Sequence, residues 1–375
     1  MFHNTLATLD EDTISSLPDM AWASPLYSRS QIDVAGRVLA RDDSPEVSAS
    51  GDNLLTDDVP YDRWAEFEIA LTAINNWRSS HSFPLNTLQV GLRRLASQVD
   101  VHSVVAQRIK RLSSIEAKLR RFPTMKLSQM QDIGGCRAVV RSVRHVNAIV
   151  AFFRASNIKH KLDHLDNYIE KPQLSGYRGV HLIWRYYSDK NSTYNGLKIE
   201  MQLRSPLQHA WATAVETVGT FIRQALKSSQ GEAEWLRFFA LMGTALAYRE
   251  RTNPVAGTPS NKRELIRELR RAAKKLDVEN RLTSYGQALQ VLGQPDAKTA
   301  HFFLLALNPK ARSVRITGYR ASELETANKE YISVERSGAD AVLVSVESLS
   351  LLRRAYPNYF LDTRVFLNAL RRVTG

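Results

Sequence analysis

The sequence predicts an α/β protein of the α+β kind: a mixed β-sheet domain flanked by helices, followed by a small C-terminal α/β domain. Three observations predict it. Leu197, Ile199, Met201 and Leu203 alternate with Lys198, Glu200, Gln202 and Arg204, the period-2 pattern of a strand with one buried face. Ser205-Pro206 then stops the strand and opens a helix, with serine as N-cap and proline at the first helical position. In that helix Leu207, Trp211, Ala214, Val215 and Val218 recur at helical spacing and would pack it back onto the sheet. Beyond Thr299, short apolar runs and helical segments alternate in a compact span. The second face of the strand holds an anion, an amide and two cations in one row. Such a row, ending at a helix N-terminus, suits phosphate and a metal ion.

Composition narrows the class. At 375 residues the chain can bury a sizeable core in two or three domains. One cysteine, Cys136, excludes an intramolecular disulfide and any multi-cysteine metal site, and fits a reducing cytoplasm. The N-terminus lacks the basic start and apolar run of a signal peptide, and the apolar stretch Trp235 to Tyr248 is too short and interrupted to span a bilayer. The net charge of +13 is uneven. Residues 1–60 hold 11 acidic and 3 basic side chains, a local balance of −8, so the remainder carries +21. Such a body favours polyanions (nucleotides, RNA or DNA), although a high pI without a specific partner accounts for the charge equally well.

Taken in order, residues 1–60 read as an acidic, weakly ordered leader, above all Arg41 to Pro60, where Asp, Ser, Gly and Pro dominate. It is either a solvated tail or a shield for the basic body. The sheet domain is placed at 61–250. It opens with a helix from Tyr61 to Trp77, on the spacing of Trp64, Phe67, Ile69, Leu71, Ile74 and Trp77, and a second around Leu85 to Gln98. Ser103 to Arg121 reads as an amphipathic helix, with Val105, Ile109, Leu112, Ile115 and Leu119 in one stripe and Lys110, Arg111, Ser114, Lys118 and Arg121 opposite. A face of four cations and a hydroxyl can hold a triphosphate or simply face water. Asp132-Ile-Gly-Gly-Cys-Arg-Ala-Val-Val140 is a two-glycine loop running into an apolar strand; its carboxylate can reach a metal ion and Arg137 a phosphate. Val143 to Ala155 reads as a helix.

The loop from Asn167 leads through Gly176, Tyr177, Arg178 and Gly179 into a strand, Val180 to Tyr187. Its glycines let the backbone present a ring and a guanidinium; Tyr177 either stacks on a base or covers the sheet edge. His181 reads as a catalytic group or as a hydrogen-bonded strand histidine. Residues 212–250 read as helical. The span 251–298 holds a linker, Arg251 to Ser260, and a basic amphipathic helix, Asn261 to Asp277, whose Glu264 and Glu268 favour a solvated face over an RNA-binding one. The last span, 299–375, has strands at Phe302 to Leu307, Ser313 to Thr317 and Ala341 to Val346. A capping box at Ser322 to Glu325 opens one helix, and Asp362 to Arg372 is another. There is no Walker-type loop, no Gly-x-Gly-x-x-Gly fingerprint and no evident nucleophile triad.

Five segments, in order, resemble the synthetase domain of the RelA/SpoT family over roughly residues 85–225. They are Arg108-x-Lys110-x-x-x-Ser114-Ile115-x-x-Lys118; Asp132-Ile-Gly-Gly-Cys-Arg137; Tyr168-Ile-x-x-Pro172-x-x-x-Gly-Tyr177-Arg178-x-x-His181; Ile199-Glu200-Met-Gln202-Leu-Arg204; and Gln208-His-Ala-Trp-Ala212. The resemblance implies a nucleotidyltransferase-like mixed sheet and transfer of pyrophosphate from ATP to the 3′-hydroxyl of GDP or GTP, giving ppGpp or pppGpp. It implies that Arg108, Lys110, Ser114, Lys118 and Arg137 hold ATP and that Asp132 and Glu200 bind Mg²⁺. Glu200 would also orient or deprotonate the attacking hydroxyl. Tyr177 would stack on the acceptor base, with Lys171, Arg178, His181, Gln202 and Arg204 fixing acceptor and phosphates.

The chain departs from the family's usual run in the acceptor loop alone, at Asn167, Gln173, Ser175 and Gly179. No His-Asp dipeptide, the mark of the family's hydrolase, occurs. Two alternatives stay open at this point: a toxin-like relative that pyrophosphorylates the 3′-terminal adenosine of tRNA and blocks translation, and a catalytically silent nucleotide- or RNA-binding protein. Self-association into a homo-oligomer is likewise open.

Overall fold

The computed structural model describes residues 22–41, 61–222, 233–287, 290–293, 300–308, 311, 313–337, 340–345 and 349–375. Its strands are β1 (Val104–Ile109), β2 (Gly134–Val139), β3 (Lys161–Asn167), β4 (Val180–Arg185), β5 (Lys198–Arg204), β6 (Gln290–Leu292), β7 (Phe302–Asn308), β8 (Ser313–Tyr319) and β9 (Asp340–Ser345). They form one nine-stranded mixed sheet in the order β3-β4-β5-β2-β1-β9-β7-β8-β6. The pairing that matters most is parallel, β2 beside β5, with Gly135 opposite Glu200 and Arg137 opposite Gln202. It lays the glycine loop against the polar strand row.

Helices cover the sheet: α1 (Arg29–Leu39), α2 (Tyr61–Ser80), α3 (Ser82–Val99), α4 (Leu112–Arg121), α5 (Val143–Ala155), α6 (Pro206–Ile222), α7 (Ala233–Glu250), α8 (Lys262–Lys275), α9 (Val278–Gln287), α10 (Leu324–Arg336), α11 (Leu349–Ala355) and α12 (Arg364–Thr374). The predicted cap of α6 is present. Gln208 N donates to Ser205 Oγ at 3.2 Å and Ser205 N to Gln208 Oε1 at 3.1 Å, a reciprocal box. Ile199, Met201 and Leu203 pack with Cys136, Ala138, Val105 and the α3 and α5 side chains on one face. Glu200, Gln202 and Arg204 are left for the other. A second core joins α6, α7, α8 and α12, and a third joins α1, α2 and α4.

Several expectations need correction. Ser103 to Arg121 is not one helix: β1 runs to Ile109 and α4 starts at Leu112. Val104 to Gln107 are buried on both sides of the strand, so no alternation marked it, and the helical stripe of α4 extended by chance into it. The leader is not weakly ordered throughout. Ser28 caps α1, and Ile32, Val38 and Leu39 pack against Leu112, Ile115 and Leu119. Residues 42–60, the stretch read as least ordered, lie outside the described residues. The capping box at Ser322 is absent: a 3-10 turn, Ala321–Glu323, precedes α10, and Glu323 Oε2 accepts from Arg320 N at 2.7 Å.

The C-terminal strands continue the same sheet. β9 lies antiparallel to β1, Gln107 opposite Ser345 and Arg108 opposite Val344. Val104, Ala106 and Val139 share a core with Phe303, Val342, Val344, Tyr356 and Tyr359. The segment after Thr299 is therefore packed onto the polar-row face of β1 and β2. Strand β3 and helices α9 and α11 carry no clear periodicity and were not anticipated.

Candidate active site

The β2–β5 register sets Asp132, two residues before β2, close to Glu200, and the charge of Asp132 acts on the Glu200 carboxylate. A Cβ on Gly135 would stand 3.9 Å from Glu200 Oε2, an ordinary contact. Asp132 is clamped. Lys110 Nζ lies 2.7 Å from one carboxylate oxygen and Lys118 Nζ 3.0 Å from the other. Burial pushes the Asp132 pKa up, but the two lysines outweigh it and hold the carboxyl well below the usual range. Ser114 sits half-buried on α4, one turn before Lys118.

Glu200 is held by its own strand neighbours. His181 Nδ1 donates to Oε1 at 2.9 Å and Gln202 Nε2 to Oε2 at 2.7 Å. Burial opposes ionisation, yet His181 and these hydrogen bonds bring the Glu200 pKa down to about 2. Burial likewise opposes the His181 charge, and Tyr177 and Glu200 overcome it, raising the imidazole to about 9. Protonated His181 donates from both nitrogens, to Glu200 and to the Tyr177 hydroxyl. Arg204 completes the chain, donating to Tyr177 Oη at 3.0 Å and to Gln202 Oε1 at 2.6 Å.

Tyr177 does not present an open ring. It is 3% exposed, edge-on to Trp211 at 6.2 Å, with the Arg204 guanidinium 5.2 Å over its ring. The close approach of Gly176 to α7 draws the loop inward: a Cβ on Gly176 would lie 2.6 Å from the Phe239 carbonyl, and its φ is +98°. Arg178 turns away from the carboxylates and donates to the Gly243 carbonyl inside the same core. Lys171 is exposed on the loop. Of the predicted acceptor residues, the structure thus brings His181, Gln202, Arg204 and Tyr177 together, but it leaves Arg178 and Lys171 apart.

The residues predicted to hold ATP are partly covered by the C-terminal segment. Arg137 donates to the Ala355 carbonyl and lies 5.4 Å over the Tyr356 ring. Burial and the Arg204 charge push its pKa down to about 10. Burial works against the Arg108 charge, and Glu216, Tyr359, Tyr356 and Asp132 outweigh it. Tyr356 also donates to the Gln107 carbonyl at 2.8 Å. Glu335 of α10 reaches the start of α4, accepting from Leu112 N at 2.9 Å and pairing with buried Arg78 at 2.8 Å. A carboxylate from the tail thereby occupies the anion-favouring end of the helix that carries Ser114 and Lys118. Sequence reasoning did not find Arg78, Glu335, Tyr356 or Tyr359. The one signal was a Tyr-x-x-Tyr pair after two arginines, 353 and 354, which no period sets apart.

Residues 107–219 match the family described as "Region found in RelA / SpoT proteins". They form a RelA/SpoT-type domain. Over 128 residues the chain is 32% identical to GTP pyrophosphokinase YjbM of Bacillus subtilis (strain 168), covering 33% of this chain and 60% of that relative. The match thus spans less than two thirds of the relative's length. Among solved structures, small alarmone synthetase 1 from Bacillus subtilis bound to pppGpp is 24% identical (TM-score 0.36), covering 40% of this chain and 82% of that one. Small alarmone synthetase 1 from the same organism in a second structure is 22% identical (TM-score 0.40), covering 51% and 93%. The RelA/SpoT-type domain contains all thirteen predicted site residues. Among the described residues, no three His, Cys, Asp or Glu side chains gather as a metal cluster, and no helix is long and apolar enough to cross a membrane.

Proposed function

We propose that the chain is a pyrophosphotransferase that moves the β,γ-pyrophosphate of ATP to a nucleotide 3′-hydroxyl, GDP or GTP being the acceptor, without hydrolase activity. The observation that carries the reading is the convergence of Asp132 and Glu200 beside Lys110 and Lys118. In the reaction the 3′-oxygen attacks the β-phosphorus, the bond from that phosphorus to the α-bridging oxygen breaks, AMP leaves with the bonding electron pair, and the hydroxyl proton is released to solvent. Lys110, Lys118, Arg108 and Arg137 neutralise the triphosphate, and Ser114 adds a hydroxyl on the same helix face. Two hard carboxylates and a set of substrate phosphates fit Mg²⁺, which binds through one or two protein carboxylates. When bound, it would offset charge on the transferred group. With its pKa near 2, Glu200 is suited to ligating and to orienting the hydroxyl rather than to storing its proton. His181, Gln202 and Arg204 keep that carboxylate fixed.

ATP can take Arg108 and Arg137 only if the segment around Ala355 to Tyr359 moves off them, so the described arrangement is a covered, resting form. A second reading has its own support: the enclosed Tyr177 ring leaves no open platform for a free guanine base, and the +21 body suits a longer polyanion, the tRNA 3′ end. Incubation with γ-labelled ATP plus GDP, GTP or deacylated tRNA decides. Label on guanosine sustains the first reading and label on tRNA the second; no transfer with Mg²⁺ and a tail-disrupted variant overturns both.

A further inference from the structure

A cavity of about 920 Å³ lies at the far end of the polar-row face, between the ends of β1 and β2, the start of α6 and the C-terminal segment. That volume is in the range of small-molecule sites. One wall belongs to the catalytic half: Val104, Val139, Val140 and Ala210. The opposite wall belongs to the tail: Pro357, Phe360, Leu361 and Leu367. The interior is thus apolar, and the charges are on the lining's polar members. Four arginines, 141, 353, 354 and 364, stand against two aspartates, 100 and 362. Arg141 is satisfied by Asp100 at 2.9 Å and Arg364 by Asp362 at 2.6 Å. Arg354 spends a donor on the neutral His102 carbonyl at 3.1 Å, and Arg353 lies 5.1 Å over the Phe360 ring. Two guanidinium charges are left in excess of the carboxylates.

We propose that this cavity is an effector site for a small organic anion with an apolar body, its head on Arg353 and Arg354. The two walls face one another only while the tail is docked, so a ligand that fills the space favours the docked arrangement. At a hundred times its Kd it would raise the docked-to-undocked ratio by about a hundredfold. The inhibitory consequence rests on the covered form proposed above; the binding does not.

The test uses the full chain and 1-anilinonaphthalene-8-sulfonate, an aromatic anion whose fluorescence rises in apolar surroundings. Expected are saturable one-site binding, displacement by octanoate and octyl phosphate, and no displacement by octylamine. Thr283→Trp puts a large ring at the cavity from a half-exposed position and should weaken binding at least tenfold with an unchanged unfolding midpoint. Arg353→Gln serves as a second variant and should weaken octanoate more than octanol. Non-saturable binding, equal displacement by octylamine, or undiminished binding in Thr283→Trp and Arg353→Gln overturns the proposal. A chain that transfers no pyrophosphate can still pass this binding test, so the two readings fail separately.

Discussion

The two ends of the candidate site are satisfied in different ways. At the acceptor end, Glu200, Gln202, Arg204, His181 and Tyr177 satisfy one another through a chain of hydrogen bonds within about thirty residues of sequence. At the donor end, Arg137 and the Gln107 carbonyl are satisfied by Ala355 and Tyr356, and Arg78 and the Leu112 amide by Glu335, all more than 200 positions away. The first network forms whenever the domain folds. The second depends on a distant piece of chain lying against the domain.

Four experiments would break or sharpen that contrast. The largest effect belongs to the acceptor end: Glu200→Gln should cut transfer by about 10³-fold while leaving ATP binding intact, measured by labelled transfer beside equilibrium ATP binding. Unchanged turnover would remove Glu200 from the chemistry. Next, Glu335→Ala strands the Arg78 charge and uncaps α4, and should cost about 3–5 kcal/mol in urea unfolding. A loss below about 1 kcal/mol would mean that the tail is held by its apolar core alone. Third, Tyr356→Ala with Tyr359→Ala should free Arg108 and Arg137, raising ATP affinity about tenfold. Weaker ATP binding in the double variant would show that the tyrosines belong to the donor site instead of covering it.

The smallest effect is a pH signature confined to the acceptor end. The His181 pKa is raised from 6.5 to about 9, so between those values the folded chain keeps a proton that the unfolded chain has lost. The stabilisation is complete below pH 6.5 and disappears as pH rises through about 9, at no more than about 1.4 kcal/mol per pH unit. His181→Gln should flatten that slope, whereas the two tyrosine substitutions should leave it in place. A slope unchanged in His181→Gln would assign it to another group.

What was legible in the sequence divides along the same line. Strand β5, the Ser205 cap and helix α5 were readable because each has one wet face and one dry one, and period reports that difference. The positions of Asp132, Glu200, Lys110 and Lys118 were readable as motifs, and the sheet brings them together. Strand β1 was not, because Val104 to Gln107 are buried on both sides and only pairing with β2 and β9 makes them a strand. The enclosure of Tyr177 depends on α7, whose Phe239 and Gly243 meet the loop from sixty residues away. The tail's hold on Arg108 and Arg137 was invisible for the same reason: the contacts are long-range, and nothing in Tyr356 or Glu335 taken alone announces its partner.

The β1–β9 junction consists of Gln107 against Ser345 and Arg108 against Val344, and it is the seam by which the strands of the C-terminal segment join the sheet. Were that seam to open, β1 would become a bare margin: amide and carbonyl groups of a Val- and Ile-rich strand turned toward water, next to the Val104, Ala106 and Val139 side chains stripped of their cover. An unzipped molecule would therefore be adhesive, prone to accept a foreign strand along that border or to join a second molecule there, and its lifetime in solution should shorten as its concentration rises.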